Sequence, residues 1–455
     1  MAIIDETIFK AYDIRGIYPS QLDEYLAYKI GRAYGTFILK ENSKAKNIVI
    51  GSDMRLSSPA LKKELVKGIT DCGLNVIDVG LVSTPTFYFA VGHYDYDGGI
   101  QVSASHNPKE YNGFKMVREK SLPISKNTGI NEIKNIILSN IFFASDKKGK
   151  IIAKENALKD LVKEQLAGID LSGIKKFKIA IDASNAMGAL DMSELFKKLP
   201  VDLIKINFNL DGSFPSHEAD PLKEENLEFL KNKVIESKAD FGIAPDGDGD
   251  RYFFVDEKGN TLRQEILRGI MAQIELAEYP GATVCYDIRP GRITKDMIEK
   301  AGGKAVVTPV GHSLIKEVMV ANGAIFGGES SGHYFYKRDY GTFEMPIIQV
   351  AKFLKFLTDK NKAFSEIIKP YQKYFHSGEI NFKVKSVPEK LEEIENIYSD
   401  GKIIKLDGIT VEYPDWWFNV RGSNTETVIR LNLESKSAEL TREKAREISE
   451  IINKN

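Results

Sequence analysis

The chain has 455 residues, with 63 Lys and Arg against 64 Asp and Glu and a formal net charge of −1. This length suits three or four compact domains, and the even charge excludes binding of nucleic acid or an anionic membrane over a broad surface. We therefore expect small-molecule partners, no nucleic acid and no membrane, with any anionic ligand held by a local cluster of cations.

Cysteine content and the N-terminal residues indicate the compartment. Cys72 and Cys285 are too few and too far apart for a disulfide framework or a thiolate metal site. The N-terminal segment carries charge from Asp5 onward and lacks the apolar core and cleavage site of a signal peptide. No later segment reaches the roughly 20 apolar residues of a membrane span. We expect a reducing, cytoplasmic setting.

A set order of short strands and helices occurs three times along the chain. The first strand of each repeat lies in residues 47–53 (NIVIGSD), 178–184 (KIAIDAS) and 283–289 (TVCYDIR), and each ends near an acidic residue. Such alternation predicts α/β units built on parallel strands. The third strand of each repeat breaks into a turn rich in Gly, Ser and Asp, and ligands of α/β sheets bind beyond such strand ends. The three repeats therefore predict three walls of one cleft, although any single loop of this kind is equally explained as an ordinary turn.

The first polar loop is SASHNPKEYNGFK, which contains Ser105 and Lys115. A serine is a weak nucleophile unless a base or an electrophilic ion activates it. Adjacent side chains usually diverge, so we do not expect His106 to form a couple with Ser105. Asn107-Pro108 predicts a tight turn that presents Ser105.

The second polar loop is DGDGDR, in which Asp246, Asp248 and Asp250 recur at a spacing of two. This spacing predicts three carboxylates on one side of the backbone, where they repel one another unless a cation compensates. An EF-hand is excluded because its sixth position is Arg251 rather than Gly and its flanks are predicted strands. Three carboxylates leave coordination open for a phosphate oxygen, which suits Mg²⁺ in phosphoryl transfer. The alternative is a solvated acidic turn.

The third polar loop, GGESSGH, allows two interpretations. Residues 328–332 match the G-x-S-x-G nucleophile elbow of α/β-hydrolases with Ser330 as nucleophile, and Asp339 and His376 follow in the required order. A serine esterase of this kind leaves DGDGD unused. Alternatively, Glu329, Ser331 and His333 offer donors and acceptors that suit sugar hydroxyls. Neither a Walker A pattern nor a dinucleotide-binding fingerprint occurs in the sequence, so a nucleotide cofactor is not supported.

The last segment, from about residue 369, departs from the repeats. Alternating strands and a closing helix predict a small α+β domain, with a loop RGSNT from Arg421 whose composition suits an anion nest or an ordinary turn. We predict four domains, at residues 1–150, 151–256, 257–368 and 369–455.

Taken in order, SASHNP, DGDGDR, GESSGH and RGSNT resemble the α-D-phosphohexomutase family in its phosphomannomutase/phosphoglucomutase branch, and the resemblance runs from KAYDIRG near the N-terminus through the last domain. It implies three similar α/β domains with mixed sheets and a smaller C-terminal α+β domain around a central cleft. It also implies an isomerase that interconverts hexose 6-phosphate and hexose 1-phosphate through a phosphoserine enzyme and a hexose 1,6-bisphosphate, which is intermediate and activator. One Mg²⁺ per chain is the implied metal cofactor.

The resemblance also implies a role for each matching residue. The implied metal ligands are Asp246, Asp248, Asp250 and the phosphoserine, Ser105. The other implied catalytic residues are Lys115, Arg15, Arg251 and His312. The implied substrate-binding residues are Glu329, Ser331, His333, Arg289, Arg421, Ser423, Asn424 and Thr425. As a further hypothesis, Lys115 is a general acid/base whose pKa is depressed by Arg15.

Some residues depart from patterns common in the family. Arg289 stands where a Lys is frequent, and Ser330 where a Met is frequent. The phosphoglucosamine branch typically has Gln at the Ser330 position and Ala at the Gly249 position, so the sequence favours mannose and glucose phosphates over glucosamine phosphate. Phosphoglucosamine mutase and the esterase remain the alternatives, and we expect a monomer or a weak homodimer.

Overall fold

The computed structural model describes residues 4–422 and 428–454. The chain divides into two compact units, one of Met1–Leu262 with His333–Ser365 and one of Arg263–Gly332 with Glu366–Asn455. None of the described helices combines the length and apolar character needed to cross a membrane. Cys72 and Cys285 are free thiols, and both are buried.

The first α/β repeat is built around a six-stranded sheet. Its elements are β1 (Ile14–Ile17), α1 (Glu24–Glu41), β2 (Asn47–Ser52), α2 (Ser58–Thr70), β3 (Asn75–Leu81), α3 (Thr84–His93), β4 (Gly98–Val102), β5 (Tyr111–Arg118), α4 (Asn131–Ser139), β6 (Ile151–Ala153) and α5 (Ala157–Leu166). The strand order is β1-β5-β4-β2-β3-β6, with β2 parallel to β3 and β4 and with β5 antiparallel to β4 and β1. Ser83 begins α3 as its N-cap, because its side chain accepts a hydrogen bond from the Thr86 amide.

The second α/β repeat has the same central order of strands. Its elements are β7 (Phe177–Asp182), α6 (Gly188–Leu195), β8 (Val201–Ile206), α7 (Glu228–Ser237), β9 (Phe241–Pro245) and β10 (Tyr252–Asp256). The order is β10-β9-β7-β8, with β7 parallel to its two neighbours and β10 antiparallel to β9. Residues of β9 and β10 are all buried, so the DGDGDR turn between them is anchored on both sides in the core.

The third repeat begins in the second unit. Its elements there are α8 (Gln264–Glu278), β11 (Thr283–Asp287), α9 (Arg292–Lys300), β12 (Lys304–Thr308), α10 (His312–Ala321) and β13 (Phe326–Gly328), with β11 parallel to both β12 and β13. From residue 333 the chain belongs to the first unit, where β14 (Tyr334–Arg338) and β15 (Gly341–Glu344) form an antiparallel hairpin. The helices α11 (Pro346–Lys360) and α12 (Phe364–Ile368) follow.

The last domain is built differently. Its elements are β16 (Phe375–Lys383), α13 (Val387–Ile397), β17 (Lys402–Ile404), β18 (Ile409–Glu412), β19 (Trp416–Gly422), β20 (Val428–Ser435) and α14 (Ala438–Asn453). The five strands pair antiparallel in the order β16-β20-β19-β18-β17. Trp416, Phe418, Leu431 and Ile448 are among the residues of its own core. The predicted fold class, three α/β domains and a distinct C-terminal domain, is confirmed, and the predicted domain boundaries stay a prediction.

Candidate functional site

Ser105 lies in the turn after β4. Its hydroxyl is directed at the DGDGDR loop, residues 246–251, which we call the acidic loop. Its Oγ donates to Asp246 Oδ2 at 3.2 Å, and its backbone φ of 51° is in the left-handed region. The Oγ also lies 3.2 Å from His106 Nδ1, so the expectation that these neighbouring side chains diverge is wrong. The left-handed turn at Ser105 is the reason, because it places both side chains on one side. Burial, together with the charges of Arg251 and Arg15, holds the pKa of His106 well below its usual range.

The predicted convergence of the three aspartates is present in the structure. Asp246, Asp248 and Asp250 are buried, and each offers a carboxylate oxygen within 4.8 Å of the others. Gly247 allows the acidic loop to pack against the serine loop, residues 103–110 between β4 and β5. A Cβ at position 247 would lie 2.3 Å from the Ser105 carbonyl oxygen. Gly249 has a φ of +75°, which a side chain rarely adopts.

Two cations neutralise the acidic loop. Lys115 Nζ, on β5, donates to Asp248 Oδ2 at 2.6 Å and to Asp250 Oδ2 at 2.9 Å, and Arg251 Nε donates to Asp246 Oδ2 at 2.9 Å. Burial alone would lower the pKa of Lys115, but the two aspartates outweigh it and raise that pKa well above its usual value. The expected depression of the Lys115 pKa by Arg15 is therefore wrong, because anions rather than cations contact its ammonium group.

Burial and neighbouring charges shift the pKa values of Asp246 and Asp248 in opposite directions. Burial and the neighbouring Asp250 raise the pKa of Asp246 to about 8. Burial would also raise the pKa of Asp248, yet the adjacent Lys115 ammonium group lowers it below its usual value.

The donor set fits a hard divalent cation. Asp248 Oδ1 and Asp250 Oδ1 are buried and accept no hydrogen bond from any residue in the described part of the chain. Unpaired buried carboxylate oxygens are costly, and oxygen ligands of this kind are those that Mg²⁺ prefers. Mg²⁺ is therefore compatible with the residues present, with Asp246, Asp248 and Asp250 as the protein ligands.

Arg15 contacts the serine loop through Asn107. It lies on β1, across from Gly113 of β5, and its NH1 donates to Asn107 Oδ1 at 2.5 Å. Its NH2 pairs with Asp13. The predicted proximity of Arg15 to the Ser105 turn is therefore present.

His333 lies in the first unit with the acidic loop. Its Nδ1 is 3.2 Å from Glu344 Oε1 and 3.7 Å from Asp250 Oδ1, and its backbone bridges that of Arg251. Sequence reasoning identified His333 but missed Glu344, which lies at the end of β15.

In the second unit, Glu329 and Ser331 form a local pair. Ser331 Oγ donates to Glu329 Oε2 at 3.0 Å, and the Gly311 amide donates to Glu329 Oε1 at 2.8 Å. The second bond joins Glu329, in the predicted sugar-binding loop of residues 328–332 (the sugar loop), to the start of α10. His312 is the first residue of that helix. Two predicted substrate-binding residues, Glu329 and Ser331, thus lie next to the helix start that carries His312, a predicted catalytic residue.

Arg289 and Ser330 share one carboxylate, that of Asp287 at the end of β11. Arg289 Nε donates to Asp287 Oδ2 at 2.6 Å, and Ser330 Oγ donates to Asp287 Oδ1 at 2.8 Å. An esterase would need the Ser330 proton to pass to a histidine base, and here the hydroxyl donates to a carboxylate instead. His376, the proposed base, lies 3.7 Å from Glu265. The geometry does not support the esterase.

Arg421 lies on β19, in the last domain. Its NH2 donates to Glu379 Oε2 at 2.8 Å, and Arg430, its cross-strand partner, donates to Glu379 Oε1 at 3.2 Å. The predicted partners Ser423, Asn424 and Thr425 lie outside the described residues.

Several buried residues that support the site were missed from the sequence. They are Thr84, which donates to Asp248, Arg55, which donates to carbonyl groups of the serine loop, and Arg268, which donates to Asp287. One signal could have found part of this set, since acidic residues at the ends of the first strands predict buried cationic partners.

Four family models match successive segments of the chain. Models of the phosphoglucomutase/phosphomannomutase α/β/α domains I, II and III match residues 6–143, 159–259 and 265–374, and the model of the C-terminal domain matches residues 379–451. The chain belongs to this family. The predicted resemblance is confirmed, and so is the enzyme class, because the family's members are phosphohexomutases and therefore isomerases. The family is magnesium-dependent, in agreement with the donor set of the acidic loop.

Individual relatives cover nearly the whole chain. A phosphomannomutase of Vibrio cholerae is 40% identical over 98% of this chain and 98% of its own, and one of Methanocaldococcus jannaschii is 39% identical over 99% and 98%. Among solved structures, a phosphoglucomutase/phosphomannomutase family protein from Burkholderia thailandensis has a TM-score of 0.90 at 31% identity, covering 99% of this chain and 97% of that chain. An N-acetylphosphoglucosamine mutase of Aspergillus fumigatus, solved with GlcNAc-6P and magnesium, covers 99% and 96% with a TM-score of 0.64 at 14% identity, which shows the fold alone.

Proposed function

We propose that the protein is a Mg²⁺-dependent phosphohexomutase that interconverts the 6- and 1-phosphates of mannose and glucose. The observation that carries this proposal is the 3.2 Å hydrogen bond from Ser105 Oγ to Asp246 in the three-aspartate loop. A hydroxyl beside such a loop, with Lys115 and Arg251 next to it, has the parts that phosphoryl transfer requires.

In this function, the phosphoserine transfers its phosphoryl group to the free hydroxyl of a hexose monophosphate. The bond between phosphorus and Ser105 Oγ breaks, the bond to the sugar oxygen forms, and the sugar becomes a 1,6-bisphosphate. The proton of the attacking sugar hydroxyl ends on the released Ser105 Oγ. The other phosphate of this intermediate then returns to Ser105. When bound by Asp246, Asp248 and Asp250, Mg²⁺ would withdraw charge from the transferring group.

The cations of the first unit stabilise the phosphate at Ser105 in this proposal. Arg251 is fixed by Asp246, and Arg15 is fixed by Asn107, so both charges are preorganised and need no rearrangement during transfer. A general acid/base role for Lys115 stays a prediction.

The substrate-binding roles follow the predicted assignments. Glu329, Ser331 and His333 bind the sugar hydroxyls, with His312 beside Glu329. To the phosphate that is not reacting we assign two cations, Arg289 and Arg421. We also assign to it the other predicted residues of the RGSNT loop, Ser423, Asn424 and Thr425. Remote phosphate binding of this kind orients the reacting hydroxyl and so contributes to the rate.

Glucosamine phosphate is the less favoured substrate. The Ala typical of that branch would place its Cβ 3.3 Å from Asp191 Oδ2 at a backbone φ of +75°, so the loop of this chain is built around glycine at position 249. We propose one Mg²⁺ per chain, hexose 1,6-bisphosphate as activator, and a cytoplasmic setting.

Turnover of mannose, glucose and glucosamine 1-phosphates with Mg²⁺ and glucose 1,6-bisphosphate tests the proposal. We expect activity with mannose and glucose phosphates and at least ~10-fold lower kcat/KM with the glucosamine substrate. Ser105→Ala should abolish turnover, while Ser139→Ala, on an exposed serine whose hydroxyl donates to the Ile136 carbonyl, should not change it. Full activity of the Ser105→Ala variant would exclude the proposal, as would labelling of Ser330 by a fluorophosphonate with no mutase turnover.

A further inference from the structure

Asp287 receives hydrogen bonds on both carboxylate oxygens. It is fully buried at the end of β11, and its Oδ1 accepts from the Ser330 amide at 3.1 Å and from Ser330 Oγ at 2.8 Å. Its Oδ2 accepts from Arg289 Nε at 2.6 Å. One carboxylate therefore joins the loop after β11 to the loop after β13.

A buried arginine completes this connection. Arg268 of α8 is fully buried, and its NH1 donates to Asp287 Oδ1 at 2.6 Å and to the Gly328 carbonyl at 3.2 Å. Its NH2 donates to the Pro290 carbonyl at 3.0 Å and its Nε to Thr294 Oγ1 at 3.1 Å. The guanidinium group thus binds the backbone of both loops, at Pro290 after β11 and at Gly328 of β13. Its rigid set of donors fixes the Asp287 carboxylate in one orientation.

The corresponding aspartates of the other two repeats have comparable partners. Asp53, directly after β2, accepts from Ser58 Oγ at 2.6 Å and pairs with Arg55 Nε at 3.2 Å. Asp182, the last residue of β7, accepts from Asn207 Nδ2 at 2.9 Å and from His217 Nε2 at 3.1 Å. The acidic residue at this position therefore fastens loops within its own repeat, which supports reading Asp287 in the same way.

We propose that Asp287 is a positioning residue for substrate binding, which acts by coupling the Arg289 side chain to the sugar loop through Ser330. The inference rests on the proposed function, in which Arg289 binds phosphate and Glu329 and Ser331 bind the sugar. It also joins two departures from the family pattern, because the side chains of Arg289 and Ser330 donate to the same carboxylate. A Met side chain in place of Ser330 could not donate, although the backbone amide at that position still would.

The test is binding of mannose 1-phosphate, measured by calorimetry with Mg²⁺ in the full chain carrying Ser105→Ala, which prevents turnover. Because a hydrogen bond to a charged group contributes substantially, Ser330→Ala should raise Kd about 10-fold. Ser330→Thr, which keeps the hydroxyl, should restore most of the affinity. Ser449→Ala, which removes a serine bonded to the Ala445 carbonyl in α14, should leave Kd unchanged.

Coupling through Asp287 predicts that the effect of Ser330 depends on the carboxylate. In an Asp287→Asn background, Ser330→Ala should change Kd less than about twofold, because the carboxamide has one acceptor oxygen and cannot accept from both Ser330 and Arg289. An equal effect of Ser330→Ala in both backgrounds would overturn the inference. If Asp287→Asn fails to fold, Ser330→Ala alone decides, since it leaves the Arg268–Asp287 pair intact: about a 10-fold loss supports the inference and less than about twofold contradicts it.

A substrate-free measurement separates this inference from the proposed function. If Ser105→Ala binds no hexose phosphate, the proposed function fails, and hydrogen exchange then decides the coupling. Backbone amides of residues 326–332 should exchange faster in Ser330→Ala than in the parent, and unchanged exchange would contradict the coupling.

Discussion

Thr84 Oγ1 donates a 2.6 Å hydrogen bond to Asp248 Oδ2, so the first residue of α3 holds the central carboxylate of the acidic loop. The Thr84 amide also donates to the Asp248 backbone carbonyl at 2.9 Å. Side chain and backbone of one residue therefore fix both the position and the orientation of Asp248. Ligand orientation by such partners is a common determinant of metal affinity.

Thr84→Val keeps the shape of the side chain and removes its hydroxyl. Because Asp248 loses an orienting donor, we expect the Mg²⁺ concentration for half-maximal activity to rise about 10-fold. Thr86→Val is the matched control, since the Thr86 hydroxyl contacts Ser83 rather than the acidic loop. Equal Mg²⁺ activation curves for Thr84→Val and wild type would contradict the role of Thr84.

Arg55 binds backbone carbonyl groups of the serine loop and of the first residue of β5. This buried side chain donates to the carbonyl oxygens of Ser105 at 2.8 Å, Pro108 at 2.7 Å and Tyr111 at 2.9 Å. A lysine cannot reproduce this fork, so Arg55→Lys should misplace Ser105 and lower kcat at least ~10-fold. Arg32→Lys, which replaces an arginine bonded to the Phe143 carbonyl, should keep wild-type kcat. A normal kcat for Arg55→Lys would contradict this role.

Asp191 predicts a pH dependence of stability. Burial raises its pKa from 3.8 to about 7, although Ser83 donates to it at 3.0 Å. The folded protein therefore keeps a proton that the unfolded chain has released, and stability contributed by this group falls as pH rises from 3.8 towards 7.

Asp191→Asn cannot titrate and should remove this contribution. As pH rises from about 5 to about 8, the thermal unfolding midpoint of the variant should fall less than that of wild type. Asp211→Asn, at an aspartate with a lowered pKa, should retain the wild-type pH profile. Identical profiles for Asp191→Asn and wild type would show that Asp191 is ionised in the folded protein.

Asp248→Asn tests the acidic loop as the metal site. The variant loses a charged ligand and should reduce turnover at saturating substrate by about 10²-fold or more, because the transferring phosphoryl group loses its charge compensation. Its activity should also need more Mg²⁺. Unchanged rate and Mg²⁺ dependence would exclude DGDGD as the ligand loop. Asp211→Asn, at a partly buried aspartate outside that loop, is the control.

Local sequence patterns predicted the architecture because strand and helix periods are encoded over a few residues. The repeated strands ending at Asp53, Asp182 and Asp287 indicated three related sheets, and the change of pattern near residue 369 indicated the separate antiparallel domain. The convergence of the three aspartates also followed from their spacing.

Contacts across long sequence separations were not predictable in this way. Thr84 and Asp248 lie 164 positions apart, and nothing in the TPTF segment marks it as a partner of the acidic loop. The Ser105–His106 contact was mispredicted because it depends on a left-handed φ at a residue other than glycine. The pKa of Lys115 was mispredicted because its direction depends on which charges touch the ammonium group, and this is decided by tertiary packing.

Transfer of a labelled phosphoryl group to Ser105 is the decisive measurement for the phosphoserine reaction. The purified protein would be incubated with Mg²⁺ and ³²P-labelled glucose 1,6-bisphosphate, and the labelled peptide identified by mass spectrometry. We expect label to be incorporated at Ser105, to be absent from Ser105→Ala, and to be removed by added mannose 1-phosphate with formation of bisphosphate. Label on another residue, or turnover of mannose 1-phosphate without any label at Ser105, would contradict it.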